Sequence, residues 1–388
     1  MKIALVWPLI TSGESSEYYN VQAFGLAGAL ADRGAEVAIF TAARGQKDKA
    51  RHAERCEKIF NFHVHYLPAR PASLRYPVMP SLFRSLLRFS PDLIQCAEIL
   101  SPSTYMGFLA AGILKKPFFI YQGTYQWPAR LTQAMGLLGP FLVRPVLKRC
   151  ACVFTKSDQA KAFVVRSSGR PEKVHTVHLG FDSRPFYPST STFLYDIGCI
   201  PKDRAILLCV GRLVPAKNHA AIIRAVEKIK ATRPDVLLVI LGSGPLRKEL
   251  DTFIKAADLE NHVKIIDIKT RQADMHLVYS SARLFLSPSR YEIFGMTILE
   301  AMACGRPVIG SSVGGMKDII SHGKNGLLVD PESEDEISEA VLLLLNTPSL
   351  YHSISGNGIQ TSRGFSWDRV AEKMELAYKA AMKCTETN

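Results

Sequence analysis

No apolar run in this 388-residue chain reaches the roughly 18 to 20 uninterrupted positions of a membrane-spanning helix, so no span is predicted. The opening stretch MKIALVWPLITSGESSEYY begins like a signal peptide, but its apolar part is short and reads better as a buried first strand. None of the eight cysteines forms a Cys-x-x-Cys pair, and most sit inside apolar segments. That is the usage of reduced, buried thiols in a cytosolic protein. Asp-x-Asp is missing everywhere, and with it the simplest acidic pair for a nucleotide-bound divalent cation. His63 with His65, and His175 with His178, lie in strand-like segments without a Cys or carboxylate cluster, so no metal site is expected. One further absence is local. Ile99 through Ser157 contains no Asp or Glu, while Lys115, Lys116, Arg130, Arg144, Lys148, Arg149 and Lys156 are all basic.

The formal charge of +13 is accordingly uneven, +12 over residues 1–190 and +1 over 191–388. Either the first half carries a solvated surface short of acids, or it meets an anionic partner. Nucleic acid is not expected in that role, because the basic half has no recognition motif. An apolar content of 47% and a charged content of 21% describe an ordinary globular protein. The length exceeds what one hydrophobic core spans, which predicts two domains.

Short apolar or β-branched runs alternate with helical patterns throughout. Strands are expected at 2–7, 36–40, 63–67, 92–96, 117–121 and 151–155, then at 205–210, 236–241, 263–266, 283–286 and 306–310. Between the first two, Val21, Phe24, Leu26, Ala27 and Leu30 keep a roughly helical period that Gly34 stops. Continuous apolar strands separated by helices indicate parallel sheets buried on both faces. The pattern predicts two doubly wound α/β domains, 1–186 and 203–364, joined by a Pro/Ser/Thr-rich hinge at 187–202. An amphipathic helix within 365–388 is expected to pack on the first domain.

Ligands of open α/β sheets bind beyond the carboxyl ends of strands, near helix N-termini. Three segments of the second half fall there. In LLCVGRLVPAKNHAAIIRAV a strand ends, Gly211 turns, and Arg212 and Lys217 flank the start of a helix. Two cations there suit a diphosphate. In VILGSGPLRKEL the turn containing Gly242 lets a backbone come close to a ligand, or simply joins strand to helix. In RYEIFGMTILEAMACGRPVIG, Glu292 lies in a loop, Ile293, Phe294 and Gly295 make a turn, and Met296 and Thr297 open a helix that carries Glu300. Glu300 lies about 7 Å along that helix. A carboxylate accepts two hydrogen bonds and so matches a vicinal diol. The pair therefore suits the two ends of one extended ligand, such as a nucleotide sugar.

This last region, through GLLVDP, resembles the Glu-x7-Glu region of retaining glycosyltransferases of family GT4, and VGRLVPAKN resembles that family's donor-phosphate loop. Weaker echoes in GLAGALADRGAEVAIFT, LGFDSRPFYP and FSWDRVAEKM extend the likeness over nearly the whole chain. The resemblance implies a GT-B fold, two Rossmann-like domains facing each other across a cleft. It implies a hexosyltransferase with a nucleotide-diphosphate sugar, UDP- or GDP-linked, as co-substrate and with no metal or other cofactor. Arg212 and Lys217 would bind the diphosphate and stabilise the leaving nucleotide, Glu292 would hold hydroxyls of the donor sugar, and Glu300 the ribose. Gly211, Gly242 and the backbone of Ile293 to Thr297 would complete the donor site.

Departures from the family pattern lie in the first half. Many members carry His-Gly after the fifth strand, where this chain has Gln122-Gly123, and the N-terminal loop keeps only Gly13. Glutamine bonds a sugar hydroxyl but is no base near pH 7. Gly13, Glu17, Tyr18, Gln122, Gly123, Tyr125 and Trp127 are expected on the acceptor side, the acceptor being a glycan or a lipid-linked hydroxyl. The mix of apolar and basic residues at 131–150 either rests on an anionic membrane surface or turns its apolar side to the core. A cytoplasmic protein, peripheral on the inner face of the membrane, is the resulting expectation. A sugar-nucleotide epimerase of the same fold, or a non-catalytic nucleotide-sugar binder, is the alternative.

Overall fold

The computed structural model describes residues 1–8, 10, 22–43, 54–70, 77–126, 141, 143–267 and 274–386, and it divides into two compact units. Unit 1 comprises Met1–Asp182 with Ser366–Asn388, and unit 2 is Ser183–Phe365.

Unit 1 runs β1 (Lys2–Val6), α1 (Gln22–Asp32), β2 (Glu36–Ala42), β3 (Arg55–Ile59), β4 (Phe62–Leu67), α2 (Leu82–Phe89), β5 (Leu93–Ala97), α3 (Pro102–Leu114) and β6 (Phe118–Gln122). Helical residues 143–149 (α4), β7 (Cys152–Thr155), α5 (Asp158–Ser168) and β8 (Val174–Thr176) follow. Among the described residues the sheet has eight strands in the order β3-β4-β2-β1-β5-β6-β7-β8. All neighbours are parallel except β3 and β4. The winding reverses between β1 and β5. Every residue of β5, β6 and β7 is buried, as strands covered on both faces require. Gly34 stops α1 at φ +87°, and Ala35 N–H returns to the Leu30 carbonyl at 3.1 Å.

The last helix, α13 (Trp367–Glu386), completes unit 1. Tyr378 stands edge-on to Phe119 at 4.8 Å and donates its hydroxyl to Gln95 Oε1 at 2.6 Å. At its start Trp367 lies between two glycines. A Cβ on Gly25 or on Gly180 would come within 2.2 Å of the indole. One packing contact thus accounts for a glycine in each of two echo segments and the tryptophan of the third.

Unit 2 runs α6 (Phe193–Gly198), β9 (Ala205–Val210), α7 (His219–Ile229), β10 (Val236–Leu241), α8 (Arg247–Ala256), β11 (Val263–Ile266), α9 (Met275–Ser280) and β12 (Leu284–Ser287). It continues with α10 (Met296–Ala303), β13 (Val308–Ser311), β14 (Leu327–Val329), α11 (Glu334–Asn346) and α12 (Pro348–Arg363). Its strands are parallel in the order β11-β10-β9-β12-β13-β14, so the reversal lies between β9 and β12. The expected hinge at 187–202 is part of this unit. It contains α6, whose Leu194 is buried and whose Leu194 N–H donates to Ser281 Oγ at 3.2 Å.

The buried thiols fit the apolar segments that hold them. Burial pushes Cys152, Cys209 and Cys304 up to about 12 and Cys150 up to about 11, so they remain protonated and unreactive near neutrality.

Candidate active site

In unit 2 the loops after β9 and β12 flank the point where the winding reverses, the position at which doubly wound sheets take ligands. The first carries Arg212 and Lys217, the second Glu292. Arg290 and Tyr291 N–H both donate to the Ala216 carbonyl, at 2.9 and 3.4 Å, which draws the loops together. Across them Lys217 Nζ lies 2.6 Å from Glu292 Oε2, with both side chains mostly buried. Arg290 fixes the second loop from outside through a two-pronged pair with Glu332 at 2.5 and 2.8 Å. Gly315 closes it from inside. Its N–H donates to the Glu292 carbonyl at 3.1 Å, and a Cβ there would stand 2.3 Å from Ile293 O.

Gly295 takes φ +110° and turns the chain into α10, so Met296 and Thr297 supply amides from a first helical turn. Phe294 is buried with its ring edge-on to Phe365 at 5.6 Å, so only its backbone is offered to the site. Glu300, one turn into the helix, accepts the hydroxyl of buried Tyr279 at 2.6 Å. Both glutamates are therefore held: Glu292 by a cation, Glu300 by a phenol.

The remaining donor-side residues divide. Arg212 is exposed just past Val210. Gly211 and Gly242 face each other: a Cβ on Gly242 would lie 1.9 Å from Gly211 O, and one on Gly244 would lie 2.5 Å from Leu213 O. The Gly-Ser-Gly turn is thus accounted for by the neighbouring loop's backbone. Next to Lys217, Asn218 takes φ +53° and His219 is 1% exposed. Burial, reinforced by the Lys217 charge, lowers His219 to about 4, and neither ring nitrogen has a hydrogen-bond partner among the described residues.

In unit 1, Gly13, Glu17, Tyr18 and Trp127 lie outside the described residues. Tyr125 packs against the core of the unit. The expectation for Gln122 is corrected. Its side chain is 1% exposed, its Oε1 accepts Ile99 N–H at 2.8 Å, and its Nε2 donates to the Thr124 carbonyl at 2.8 Å. The amide braces two loops and does not face a ligand.

What sequence reasoning missed is Glu98. It follows β5 directly, at the reversal point, in a left-handed conformation, φ +66°, that a non-glycine residue adopts only when its surroundings enforce it. Its carboxylate accepts Gly123 N–H at 3.1 Å and Thr124 N–H at 3.2 Å, and Lys156 Nζ stands 3.5 Å away. Lys156 also reaches Gln22 Oε1 at 3.2 Å and lies 5.1 Å over the Trp7 ring. The carboxyl ends of β1, β5, β6 and β7 and the start of α1 thus meet around one buried ion pair. Tyr279 was missed as well. Its only signal is being aromatic in a short, apolar stretch of helix.

The family model described as glycosyl transferases group 1 matches residues 196–361, and the glycosyl transferase 4-like domain matches 19–180. Together they take in the greater part of both units. The chain belongs to the GT4 group of GT-B glycosyltransferases. An uncharacterised glycosyltransferase of Methanocaldococcus jannaschii is 34% identical over 60% of this chain and 60% of its own length. A D-inositol 3-phosphate glycosyltransferase of Thermobispora bispora is 29% identical over 64% and 60%. The match therefore spans about three fifths of these relatives. Anabaena HepE, solved in complex with UDP-glucose, superposes with a TM-score of 0.78 at 20% identity, covering 98% of this chain and all of that one. That likeness shows the fold, two Rossmann-like α/β domains of GT-B type.

Proposed function

We propose that the chain is a retaining glycosyltransferase that moves a hexose from a nucleotide-diphosphate sugar to a hydroxyl of a glycan or lipid-linked acceptor. The observation that carries this reading is the Lys217–Glu292 pair across the reversal point of unit 2, at 2.6 Å. A diphosphate arriving at Lys217 takes over the cation and releases Glu292 to accept sugar hydroxyls. The amides of Met296 and Thr297 and the guanidinium of Arg212 add to the positive field on the leaving phosphate. Charge developing on that phosphate is what most needs stabilising, and fixed donors in a dry site do it best. Glu300, positioned by the Tyr279 hydroxyl, is the carboxylate that accepts from a ribose diol. Cations and helix amides take the place a divalent metal would fill, which supports a metal-independent reaction.

HepE's complex with UDP-glucose supports a uridine donor ahead of a guanosine one. The acceptor side is assigned to the carboxyl edge of unit 1, around the Glu98–Lys156 pair and Tyr125. A place in cell-surface polysaccharide or glycolipid synthesis, on the cytoplasmic side, is the pathway this reading favours.

The test is release of nucleoside diphosphate from a panel of UDP-, GDP- and ADP-sugars, with EDTA present and a glycan and glycolipid extract as acceptor. The account expects one donor class to be cleaved, the anomeric configuration kept in the NMR spectrum of the product, and activity lost in Lys217→Ala and Glu292→Gln. Epimerised nucleotide sugar without diphosphate release would favour an epimerase. An inverted product, or cleavage abolished by EDTA, would contradict the mechanism.

A further inference from the structure

Residues 131–140 and 142 of the segment 131–150 lie outside the described residues, and the described apolar ones divide between core and surface. Val143, Val146 and Leu147 of α4 are buried in the core of unit 1, while Arg144, Lys148 and Arg149 are exposed. The apolar surface of this region lies on the neighbouring helix. α3 buries Ser103, Thr104, Gly107, Ala110 and Ala111, and presents Leu109 and Ile113 to solvent at 58% and 64% exposure. Phe141, at 67%, is exposed too, with the Arg144 guanidinium 5.5 Å from its ring. This is the reverse of what a solvated helix shows, where apolar residues turn inward.

Beside Leu109 and Ile113 opens a groove of about 720 Å³, floored by Phe108, Phe118 and Ala151. Its rim holds Lys116, Arg149 and Lys173, and no carboxylate lines it among the described residues. Lys173 is anchored by the carbonyls of Lys148 and Cys150, at 3.3 and 2.8 Å, so its charge is fixed in place. Lys116 makes a half-exposed pair with Asp92 at 3.7 Å.

We propose that this face of unit 1 docks on an anionic phospholipid bilayer. Leu109, Ile113 and Phe141 enter the headgroup boundary, an acyl chain takes the groove, and Lys115, Lys116, Lys148 and Arg149 meet lipid phosphates. Charge complementarity selects this partner: the stretch from Ile99 to Ser157 holds seven Lys and Arg and no Asp or Glu. A second copy of the chain would bring the same cations and be repelled. Exposed apolar residues alone, or cations alone, give weak and reversible attachment, and their combination is what interfacial proteins use. The proposal is independent of the transfer reaction and gives the membrane expectation a location: α3, with α4 supplying cations.

Cosedimentation of the full chain with vesicles of phosphatidylcholine, with and without phosphatidylglycerol, tests it. Binding is expected only with phosphatidylglycerol at about 0.1 M salt and lost near about 0.5 M, where screening is short-ranged. Leu109→Ser with Ile113→Ser should weaken binding at unchanged charge, and Lys115→Ala or Arg149→Ala by roughly fivefold each. The nucleotide-induced shift in Tm of these variants should stay at the wild-type value, which separates a failure here from a failure of the donor site. No binding at low salt, equal binding to neutral vesicles, or binding untouched by the α3 double variant would overturn the proposal. A dimer in solution dispersed by that double variant would overturn it in favour of self-association.

Discussion

Lys217 and Glu292 lie 75 positions apart in the chain and 2.6 Å apart in space. Their residue types and neighbours were legible because each sits in one contiguous motif. Their mutual contact was not, since it depends on which loops the sheet order brings together. Glu98 shows the limit more sharply. Nothing in QCAEIL marks a glutamate whose partners come from residues 123, 124 and 156. Removing it by Glu98→Ala leaves Lys156 without its carboxylate in a site where both side chains are nearly buried, 6% and 13% exposed. Breaking such a pair costs about 3 to 5 kcal/mol, measurable by urea denaturation; a loss under about 1 kcal/mol would place the pair among surface bridges. His219 gives a pH prediction. Its folded-state value, about 4, lies below the ordinary 6.5, so burial favours the neutral ring. Its contribution is complete above pH 6.5 and is lost as pH falls towards 4, up to about 3 kcal/mol. His219→Leu should flatten the fall of Tm between pH 7 and 5, and an unchanged slope would assign acid sensitivity elsewhere.

At the scale of elements, the strands of unit 2 were read almost to the residue, because runs such as AILLCV and VLLVIL are buried on both faces and leave little choice. Those missed have other signatures. RCEKI of β3 is a largely exposed edge strand, and β8 and β14 have three residues each. The hinge misled because Pro, Ser and Thr mark irregular backbone without saying whether it is packed, and Leu194 shows that here it is. α13 is fixed by Trp367 and Tyr378. Trp367→Ala should cost about 3 to 5 kcal/mol. Gly180→Ala should cost about 1 to 3 kcal/mol by overpacking, since the new methyl would meet both the indole and the Trp367 Cα, the latter at 2.7 Å. A Gly180→Ala protein as stable as wild type would mean that the helix has room to move.

On the scale of the whole molecule, charge and chemistry are divided between the units. The half that holds unit 1's sheet carries +12, and the half with the proposed donor-site motifs carries +1. The division was visible in composition, and the motifs fixed the family. Neither told which surface of the basic half is apolar, because α3 looks like any buried helix until its neighbours are known. The central claim is that the loops after β9 and β12 form a nucleotide-diphosphate site. It is tested most directly by the Tm of the wild type and of Glu300→Ala with UDP, GDP and ADP. A ligand at 100 times its Kd stabilises by about 2.7 kcal/mol, a shift of several degrees or less that scanning calorimetry resolves. The account predicts that one nucleotide, UDP first, raises the wild-type Tm and raises that of Glu300→Ala less. No shift with any of the three, or equal shifts in both proteins, would contradict it.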